Sequence, residues 1–477
     1  MDKKFLLFIN GKWVSPKGDR YFTVQNPATE EVIGEVANGS LEDVKEAINT
    51  SYEAFKRWKK ENPFKVQEIL YNAADRIETH KDEIIKSLTM EMGKPLKDSK
   101  KEVDFSIKVI RYYASTIPHI KGELPPVENQ DYRSLVIREP IGVVSAISPW
   151  NYPVELMIWK IAPALAARCT VIAKPPSLAP IATIKALSFF EEAGLPPGVL
   201  NIITGSGKQI GDELILNPKV SMVAFTGSVD TGKHVMKLAS RTIKRISLEL
   251  GGNSPMIIFK DADLSWAIPQ AVRRCFSNMG QVCVRVNRLY VHEDIFSQFI
   301  EGYVEKVRNF QIGNGLEAGI EYGPVISNDV IQRVKIGIED ALKRGAKLIY
   351  GGEIIRDRGY FITPAILINV PESAMIVREE MFGPIIPILK FSDDEDVIKR
   401  ANNTRYGLAA YIFTKDIKFG LKVAERIEAG GIGVNINDMT ELTAPFGGYK
   451  ESGIGRELSL EGLYKFTQLK HIRINIK

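Results

Sequence analysis

Between residues 141 and 240 the sequence alternates four times between a short apolar strand and a helix. The predicted strands cover residues 141–147, 170–173, 199–203 and 222–225, and the predicted helices cover residues 154–167, 182–193, 210–216 and 232–240. Helices that connect strands in this way form right-handed crossovers, and such crossovers join parallel strands of one sheet. The alternation therefore predicts a parallel sheet with helices on its faces.

A second run of the same kind follows Gly251 and Gly252 and continues to about residue 440. Its predicted strands cover residues 256–259, 289–292, 347–349, 365–368 and 385–390. A chain of 477 residues is also too long for one compact core. Alternating apolar and polar residues predict strands at 132–139 and 466–476, which we expect to pair with each other or with another subunit. The sequence thus predicts two α/β domains and a small β element.

The composition excludes several classes of protein. Hydrophobic residues make up 44% and charged residues 25% of the chain, as in an ordinary soluble enzyme. The net charge of +5, without a long basic block, argues against nucleic acid as a partner, and no segment approaches the ~18–20 apolar residues of a membrane helix. Three cysteines cannot form a disulfide framework, and five histidines without ligand-like spacing predict no metal site. We therefore expect a cytoplasmic protein with reduced thiols.

Cys283 and Glu249 are the residues that most directly suggest chemistry. Cys283 follows a Gly-Gln turn, and Glu249 stands just before the glycine pair. A lone cysteine is most often a small buried hydrophobic residue. A nucleophilic thiol and a carboxylate that activates water are, however, what an enzyme needs to form a thioester and then hydrolyse it. The pair becomes informative when other motifs point to the same chemistry.

Three loops at predicted strand ends carry groups suited to a ligand. Asn151 lies between two prolines, where its amide can donate to an oxyanion, and Lys174 stands at the carboxyl end of a strand, where α/β folds bind ligands. Gly227 and Ser228 begin a segment close to a phosphate-binding P-loop. His234 replaces the hydroxyl that would bind Mg²⁺, so we reject hydrolysis of a nucleoside triphosphate. Each loop alone is explained at least as well by an ordinary turn.

The motifs gain meaning from their order along the chain. They are Pro149-Trp-Asn-Tyr-Pro153, Lys174-Pro-Pro-Ser177, Phe225-Thr-Gly-Ser228, Glu249-Leu-Gly-Gly252, Gly280-Gln-Val-Cys283, Glu379-Glu-Met-Phe-Gly-Pro384 and Pro445-Phe-Gly-Gly-Tyr-Lys-Glu-Ser-Gly453. This series resembles the NAD(P)-dependent aldehyde dehydrogenase superfamily over nearly the whole chain. The expected fold is α/β with two doubly wound domains: a Rossmann-like cofactor domain at residues 1–121 and 140–250, and a catalytic domain at 251–451. Residues 122–139 and 452–477 would form a small β oligomerisation element, and exposed edge strands favour a homodimer or homotetramer.

The resemblance also implies roles by position. Cys283 would be the nucleophile that attacks the aldehyde, and its backbone N–H together with Asn151 would hold the oxyanion. Glu249 would activate the water that hydrolyses the thioester, and Glu457 matches a carboxylate of a proposed proton relay. The positions that match cofactor contacts are Trp150, Lys174, Ser177, Gly227, Ser228, Glu380 and Phe382.

One departure from the family pattern bears on the choice between NADP and NAD. Members that prefer NAD commonly carry a glutamate three residues after the Lys174 position, where it holds the ribose hydroxyls, but this chain has Ser177. A carboxylate would repel the 2′-phosphate of NADP, whereas a hydroxyl can donate to it and Lys174 can pair with it. We therefore predict that NADP is accepted alongside NAD and is the preferred cofactor.

Two other departures bear on the substrate. Succinate-semialdehyde members carry two arginines that bind the remote carboxylate, and the matching positions here are Trp159 and Ser277. Trp159 predicts an apolar wall, while Asp438, Thr440 and Glu441 offer polar contacts for a hydroxylated aldehyde. We therefore favour a small aliphatic or hydroxy-aldehyde such as glyceraldehyde or lactaldehyde. Succinate semialdehyde or another semialdehyde is the alternative.

Two further interpretations compete with this one. In a CoA-acylating dehydrogenase the thiol of CoA resolves the thioester, but such relatives usually lack the glutamate found here as Glu249. A structural or binding protein on the same scaffold would tolerate loss of the nucleophile, yet Cys283 and Asn151 are both present. Both observations favour a hydrolytic dehydrogenase.

Overall fold

The computed structural model describes residues 4–477, whose strands form four sheets. The N-terminal segment contains β1 (Lys4–Phe5), β2 (Leu7–Ile9), β3 (Lys12–Val14), β4 (Tyr21–Gln25) and β5 (Val32–Ala37). β1, β5 and β4 form a three-stranded sheet in that order, whereas β2 and β3 join the edge of a larger sheet. The N-terminal segment is thereby tied to the first α/β unit.

Four helices follow: α1 (Leu41–Trp58), α2 (Pro63–Thr79), α3 (Lys81–Met92) and α4 (Leu96–Thr116). The start of α1 is fixed by a capping box, in which the Ser40 side chain accepts from the Asp43 N–H and the Asp43 carboxylate accepts from the Ser40 N–H. Gly93, with φ of 89°, ends α3 in the left-handed conformation that favours glycine. The chain therefore reverses direction between α3 and α4.

The first α/β unit contains β6 (Tyr132–Pro140), β7 (Val143–Ile147), α5 (Pro153–Ala166), β8 (Thr170–Lys174), α6 (Ile181–Glu192), β9 (Leu200–Ile202), α7 (Asp212–Leu216), β10 (Val220–Thr226), α8 (Val229–Ala239) and β11 (Arg245–Glu249). Each of the predicted strands and helices of this region is present, with bounds that differ by a few residues. The strand β11 was not predicted, because its first two residues, Arg245 and Ile246, are exposed or half-buried and break the apolar pattern.

The second unit contains β12 (Ser254–Ile258), α9 (Leu264–Phe276), β13 (Val286–His292), α10 (Phe296–Arg308), α11 (Asn328–Lys343), β14 (Lys347–Tyr350), β15 (Ala365–Ile368), α12 (Met375–Arg378), β16 (Ile385–Phe391), α13 (Asp394–Asn402), β17 (Ala409–Phe413), α14 (Ile417–Arg426) and β18 (Gly431–Val434). The chain ends with β19 (Gly453–Ile454), α15 (Ser459–Tyr464) and β20 (Thr467–Asn475).

Both large sheets have parallel centres. The first has eight strands in the order β19-β11-β10-β7-β8-β9-β2-β3, and the five from β11 to β9 are parallel. The second has seven strands in the order β14-β15-β16-β13-β12-β17-β18, and only its edge strand β14 pairs antiparallel. Their central strands are buried between helices, in an apolar core that extends through both units. The predicted parallel sheets are thus observed.

The strands β6 and β20 form a separate antiparallel ribbon, in register from Tyr132 opposite Asn475 to Pro140 opposite Thr467. Of the two pairings that the alternation of apolar residues left open, this is the one within the chain. Leu469 and Ile474 on β20 are exposed, at 60% and 41%. The strand β19 joins the first sheet, although our division of the sequence placed residues 452–477 in the oligomerisation element. The domain boundaries and the homo-oligomer stay predictions.

None of the helices in residues 4–477 has both the length and the apolar content that crossing a bilayer requires. The cytoplasmic location stays a prediction.

Candidate active site

The carboxyl ends of four parallel strands meet at one edge of the first sheet. β7 ends at Ile147, which is in register with Lys174 at the end of β8, and β10 ends at Thr226, in register with Glu249 at the end of β11. Loops that leave such an edge converge on the crevice where α/β proteins bind ligands. The sequence motifs that follow these strands are therefore brought together by the topology alone.

A cavity of about 470 Å³ lies between this edge and loops of the second unit. Eight of the predicted site residues line it: Trp150, Asn151, Gly227, Ser228, Glu249, Cys283, Glu380 and Phe382. A second cavity, of about 480 Å³, shares only Leu156 and Cys283 with the first among its lining residues. Cys283 thus lies where the two cavities meet.

The loop before Cys283 is held in an unusual conformation. Asn278 and Met279 both have positive φ, 49° and 55°, which costs about 1–3 kcal/mol for each residue. The loop leaves Cys283 partly accessible, whereas Cys169 and Cys275 are buried in the core. In the described part of the chain, the backbone N–H of Cys283 has no hydrogen-bond acceptor. The loop therefore presents one thiol and one free N–H donor.

The Asn151 side chain lies close to this loop. Its Nδ2 donates to the backbone oxygen of Gln281 at 3.1 Å, and its Oδ1 has no hydrogen-bond partner among residues 4–477. An amide nitrogen carries two hydrogens, so one remains for a ligand oxygen. Asn151 and the Cys283 N–H are suited to act as a pair of donors.

The Glu249 carboxylate is almost fully buried, and neither of its oxygens has a hydrogen-bond partner within the described residues. Burial, followed by the negative charge of Glu457, raises the pKa of Glu249 to about 8. Burial and the nearby Glu249 charge also raise the pKa of the Cys283 thiol well above its usual value. Glu249 is therefore a stronger base than an ordinary carboxylate, and the two groups titrate as a pair.

The glycine pair after Glu249 explains how three loops approach one another. A Cβ atom on Gly251 would lie 2.2 Å from Glu380 Oε2, and one on Gly252 would lie 2.4 Å from the backbone oxygen of Cys283. Without these side chains, the Gly252 N–H donates to Glu380 Oε1 at 3.0 Å. Both glycines are required for this close contact between the Glu249, Cys283 and Glu380 loops.

Glu457 does not line either cavity, but it is connected to the first one. Lys160 Nζ donates to Glu457 Oε1 at 3.0 Å and to Thr226 Oγ1 at 2.6 Å, and Thr226 lines the cavity. Lys465 also lies 3.4 Å from Glu457. The two lysines keep the pKa of Glu457 low despite its burial. Lys160 was not predicted as a site residue, although a lysine within the apolar helix α5 was a usable signal.

The first cavity has the groups that a dinucleotide requires. Ser228 caps α8, so the amino end of that helix faces the cavity lined by Gly227 and Ser228. The rings of Trp150 and Phe382 meet edge to face at 5.3 Å, and the Glu380 carboxylate remains directed at the Gly251–Gly252 turn. An anion-binding helix end, an aromatic pair and a carboxylate acceptor fit pyrophosphate, a flat ring and ribose hydroxyls. NAD(P) therefore fits the cavity.

Lys174 and Ser177 lie outside the lining of both cavities. Lys174 is 5% exposed, and burial lowers its pKa to about 8. The exposed Ser177 hydroxyl donates to the backbone oxygen of Gly205 at 3.3 Å. Lys174 ends β8 and Ser177 follows it at the same sheet edge. This edge lies next to the loop that follows β7 and lines the first cavity. Arg333 and Arg405, two cations in the lining of the first cavity, were not predicted from the sequence either.

The second cavity has an aromatic wall. Trp159 is 2% exposed and meets Phe446 at 5.1 Å and Phe105 at 6.2 Å between ring centroids. Ser277 also lines this cavity, so both positions that departed from the semialdehyde pattern lie beside Cys283. Trp159 forms the wall that the sequence predicted.

Two cations that line the second cavity have no ion-pair partner among the described residues. The cavity's carboxylates Asp98, Glu102, Asp104 and Asp438 pair with Lys101, Lys94, Lys81 and Lys100, and Arg274, respectively. Burial raises the pKa of Glu155 well above its usual value and so disfavours its charged form. Arg273 and Lys108, both exposed, line the cavity without an ion-pair partner in the described chain. The cavity thus carries two cations that have no ion-pair partner within residues 4–477.

Comparison with known proteins identifies similar sequences. The family model described as "Aldehyde dehydrogenase family" matches residues 13–472. The mitochondrial succinate-semialdehyde dehydrogenase of Arabidopsis thaliana is 39% identical over 464 residues, which cover 97% of this chain and 88% of that protein. Succinate-semialdehyde dehydrogenase (NADP+) GabD of Escherichia coli (strain K12) is 38% identical over 468 residues, which cover 98% of this chain and 97% of that protein.

A solved structure is similar over the same length. The NAD+ complex of an aldehyde dehydrogenase from Bacillus cereus has a TM-score of 0.97 and 38% identity, and the match covers 100% of this chain and 97% of that one. This similarity confirms the predicted fold class.

Proposed function

The chain belongs to the aldehyde dehydrogenase family and is an NAD(P)-dependent aldehyde dehydrogenase, and we propose that it oxidises short semialdehydes to dicarboxylic acids. The observation that carries the proposal is the presence of two cations without an ion-pair partner in the described residues, Arg273 and Lys108, in the cavity next to Cys283. A carboxylate at the remote end of the substrate would pair with them. The names of the relatives support this alternative more than glyceraldehyde or lactaldehyde, which the sequence led us to favour.

We propose that catalysis begins with proton transfer from the Cys283 thiol to the ionised Glu249. The thiolate then attacks the aldehyde carbon, and the oxygen becomes an oxyanion that accepts from Asn151 Nδ2 and the Cys283 N–H. Two such donors stabilise the negative charge that develops on this oxygen. NAD(P)+, when bound, supplies the hydride acceptor. Cys283 is left acylated as a thioester once the hydride has departed from the substrate carbon.

Hydrolysis of the thioester is the second proposed role of Glu249. Once Glu249 has released the thiol proton to solvent, its raised pKa makes the ionised form a strong enough base to take a proton from water as the water attacks the thioester. The C–S bond then breaks, the carboxylic acid leaves, and the Cys283 thiolate regains a proton from Glu249. Glu457 would receive or supply protons through Lys160 and Thr226, which connect it to the cavity.

The substrate proposal predicts a charge-dependent selectivity. We expect succinate or glutarate semialdehyde to give the highest kcat/KM in a panel that includes glyceraldehyde and lactaldehyde. Arg273→Gln and Lys108→Gln should each raise the KM for the semialdehydes by about tenfold, because each removes one charge-assisted contact. Added salt should raise the same KM by screening. Steady-state kinetics across the panel measures all three effects.

Arg111→Gln is the matched control, since Arg111 lies on α4 with Lys108 but outside the cavity and pairs with Asp75. Arg111→Gln should leave the KM values for succinate semialdehyde and glutarate semialdehyde unchanged. Glyceraldehyde kinetics should not respond to Arg273→Gln or Lys108→Gln. Equal effects on charged and uncharged aldehydes would contradict the proposal.

A hydroxy-aldehyde is the second candidate, because Trp159 and Ser277 stand where the semialdehyde pattern has arginines. Asp438 and Thr440 line the same cavity and offer polar contacts, whereas Glu441 does not line it. A kcat/KM for glyceraldehyde or lactaldehyde at least about tenfold above that of the semialdehydes would select this candidate.

The preference for NADP remains our proposal for the cofactor. Ser177→Glu should lower the ratio of kcat/KM for NADP to that for NAD by at least about tenfold, because a carboxylate repels the 2′-phosphate and accepts from ribose hydroxyls. Ser177→Ala, which adds no charge, should change the ratio much less. The measurement is steady-state kinetics with both cofactors. An unchanged ratio in Ser177→Glu would exclude this position from cofactor selection.

A further inference from the structure

A lysine and a glutamate form an ion pair inside the protein, away from the reacting groups. Lys94 Nζ lies 2.5 Å from Glu102 Oε2, and both side chains are fully buried. Lys94 follows the left-handed Gly93 at the end of α3, and Glu102 lies on α4. Ion pairs without solvent lose their hydration, so they persist where further contacts compensate.

Those further contacts all lead to the Asn151 loop. Lys94 Nζ donates to the backbone oxygen of Asn151 at 2.7 Å and lies 3.9 Å from the ring centroid of Tyr152. Glu102 Oε1 accepts from the backbone N–H groups of Val154 and Glu155, at 3.0 and 3.3 Å. The pair therefore holds the chain on both sides of Pro153, from Asn151 to the first turn of α5.

The same backbone oxygen links the Asn151 loop to the nucleophile loop. Asn278 Nδ2 donates to it at 3.1 Å and to the backbone oxygen of Gln281 at 3.3 Å. The Asn151 side chain itself has one hydrogen bond, to Gln281, and no partner for Oδ1 in residues 4–477. The direction of the Asn151 side chain is therefore set mainly by its own backbone, which Lys94, Glu102 and Asn278 hold in place.

We propose that Lys94 and Glu102 are positioning residues that aim the Asn151 amide at the oxyanion, an inference that rests on the oxyanion role proposed above for Asn151. Lys94 fixes the Asn151 carbonyl, and Glu102 fixes the amino end of α5. Displacement of a hydrogen-bond donor by about 1 Å is enough to lower a rate by about 10²-fold. The pair acts through Asn151 and touches no reacting atom.

A double-mutant cycle on the pre-steady-state burst of NAD(P)H tests the inference. Asn151→Ala alone should slow the burst by about 10²–10³-fold. Lys94→Met/Glu102→Gln removes both buried charges together, so no unpaired charge remains, and it should slow the burst by about 10–100-fold. In the Asn151→Ala background the same pair of substitutions should have almost no further effect, because no amide is left to position.

Two additional readouts distinguish positioning from general damage. The dissociation constant for NAD(P)+ and the rate of Cys283 alkylation by iodoacetamide should stay within about twofold of the unsubstituted protein, because neither needs the oxyanion donor. Glu91→Gln is the matched control. Glu91 is likewise a buried carboxylate that accepts from the first N–H groups of a helix, those of Ile181 and Ala182 in α6. It should leave the burst unchanged.

The outcomes separate the inference from the proposed function. A normal burst in Asn151→Ala would overturn the oxyanion role itself. A slow burst in Asn151→Ala, with equal effects of Lys94→Met/Glu102→Gln in both backgrounds, would overturn only the positioning role. Glu102→Gln alone keeps an oxygen acceptor for the α5 N–H groups and should give a smaller loss. If the double variant fails to fold, the cycle is run with Glu102→Gln, and additive effects there likewise refute positioning.

Discussion

Replacing Cys283 with alanine is expected to reduce dehydrogenase turnover by about 10⁴-fold or more, because no thioester can form without the sulfur. The cofactor cavity is lined mainly by other residues, so binding of NAD(P)+ should remain within about twofold of the unsubstituted protein. NAD(P)H formation measured with excess aldehyde gives the turnover, and cofactor titration by intrinsic fluorescence gives the binding.

Cys275→Ala is the matched control for this variant. Cys275 lies eight residues before Cys283, at the end of α9, and is fully buried. Its loss should leave kcat unchanged at a temperature where both variants are folded. Mass spectrometry of the unsubstituted enzyme during turnover should find the acyl group on Cys283. Unimpaired turnover in Cys283→Ala would remove the covalent mechanism.

Glu249→Gln is expected to slow both halves of the reaction. The amide can take a proton neither from the Cys283 thiol nor from water, so the burst of NAD(P)H and the steady-state turnover should each fall by about 10²–10³-fold. In the unsubstituted enzyme the rate of hydrolysis should rise with pH through about 8, since the base is active only when ionised and burial has raised its pKa to about 8. This rise should disappear in Glu249→Gln.

Glu91→Gln again serves as the control, because burial also raises the pKa of Glu91 to about 8. Glu91 lies on α3 and its carboxylate accepts from the first N–H groups of α6, outside both cavities, so its loss should leave the pH dependence of turnover in place. Product analysis with and without CoA completes the test. Formation of acyl-CoA at a rate above hydrolysis would establish the CoA-acylating alternative and would contradict the role of Glu249 as the base for water.

The large elements of the fold were predictable because each carries its own periodicity. The strand at Ala365–Ile368 has the predicted bounds, and the helix α5 differs by one residue at each end. The strands β17 and β18 escaped prediction, because Ala409–Phe413 begins with two alanines, which are depleted in strands, and Gly431–Val434 contains two glycines. Neither is distinguishable from a loop until its neighbours in the sheet are known.

The candidate site was predictable to the extent that its residues stand next to strand ends. Asn151 and Glu249 follow from the order of motifs, because parallel strands deliver their loops to one edge. The roles of these residues stay predictions. The charge of the substrate cavity did not follow from the sequence: Arg273 and Lys108 lie on helices far apart in the chain, and only the folded structure reveals that neighbouring carboxylates are already paired.

The buried pair of Lys94 and Glu102 was also beyond the reach of the sequence. Lys94 stands in a turn and Glu102 on a helix that also bears Lys100 and Lys101, so nothing in the pattern distinguishes them from solvated charges. Their partners are backbone atoms of a loop about fifty residues later. Almost any residue can supply a backbone N–H or C=O group, so a hydrogen bond to such a group cannot be inferred from the residue type.

The position of Cys283 at the junction of two cavities affects how small molecules reach the sulfur and how they leave it. The cavities have in common only Leu156 and Cys283, so a dinucleotide bound in the first cavity and an aldehyde bound in the second would reach the sulfur by separate routes. The reduced dinucleotide and the acid product would then leave through different cavities. Water would likewise reach the sulfur through the second cavity while the dinucleotide still occupies the first cavity.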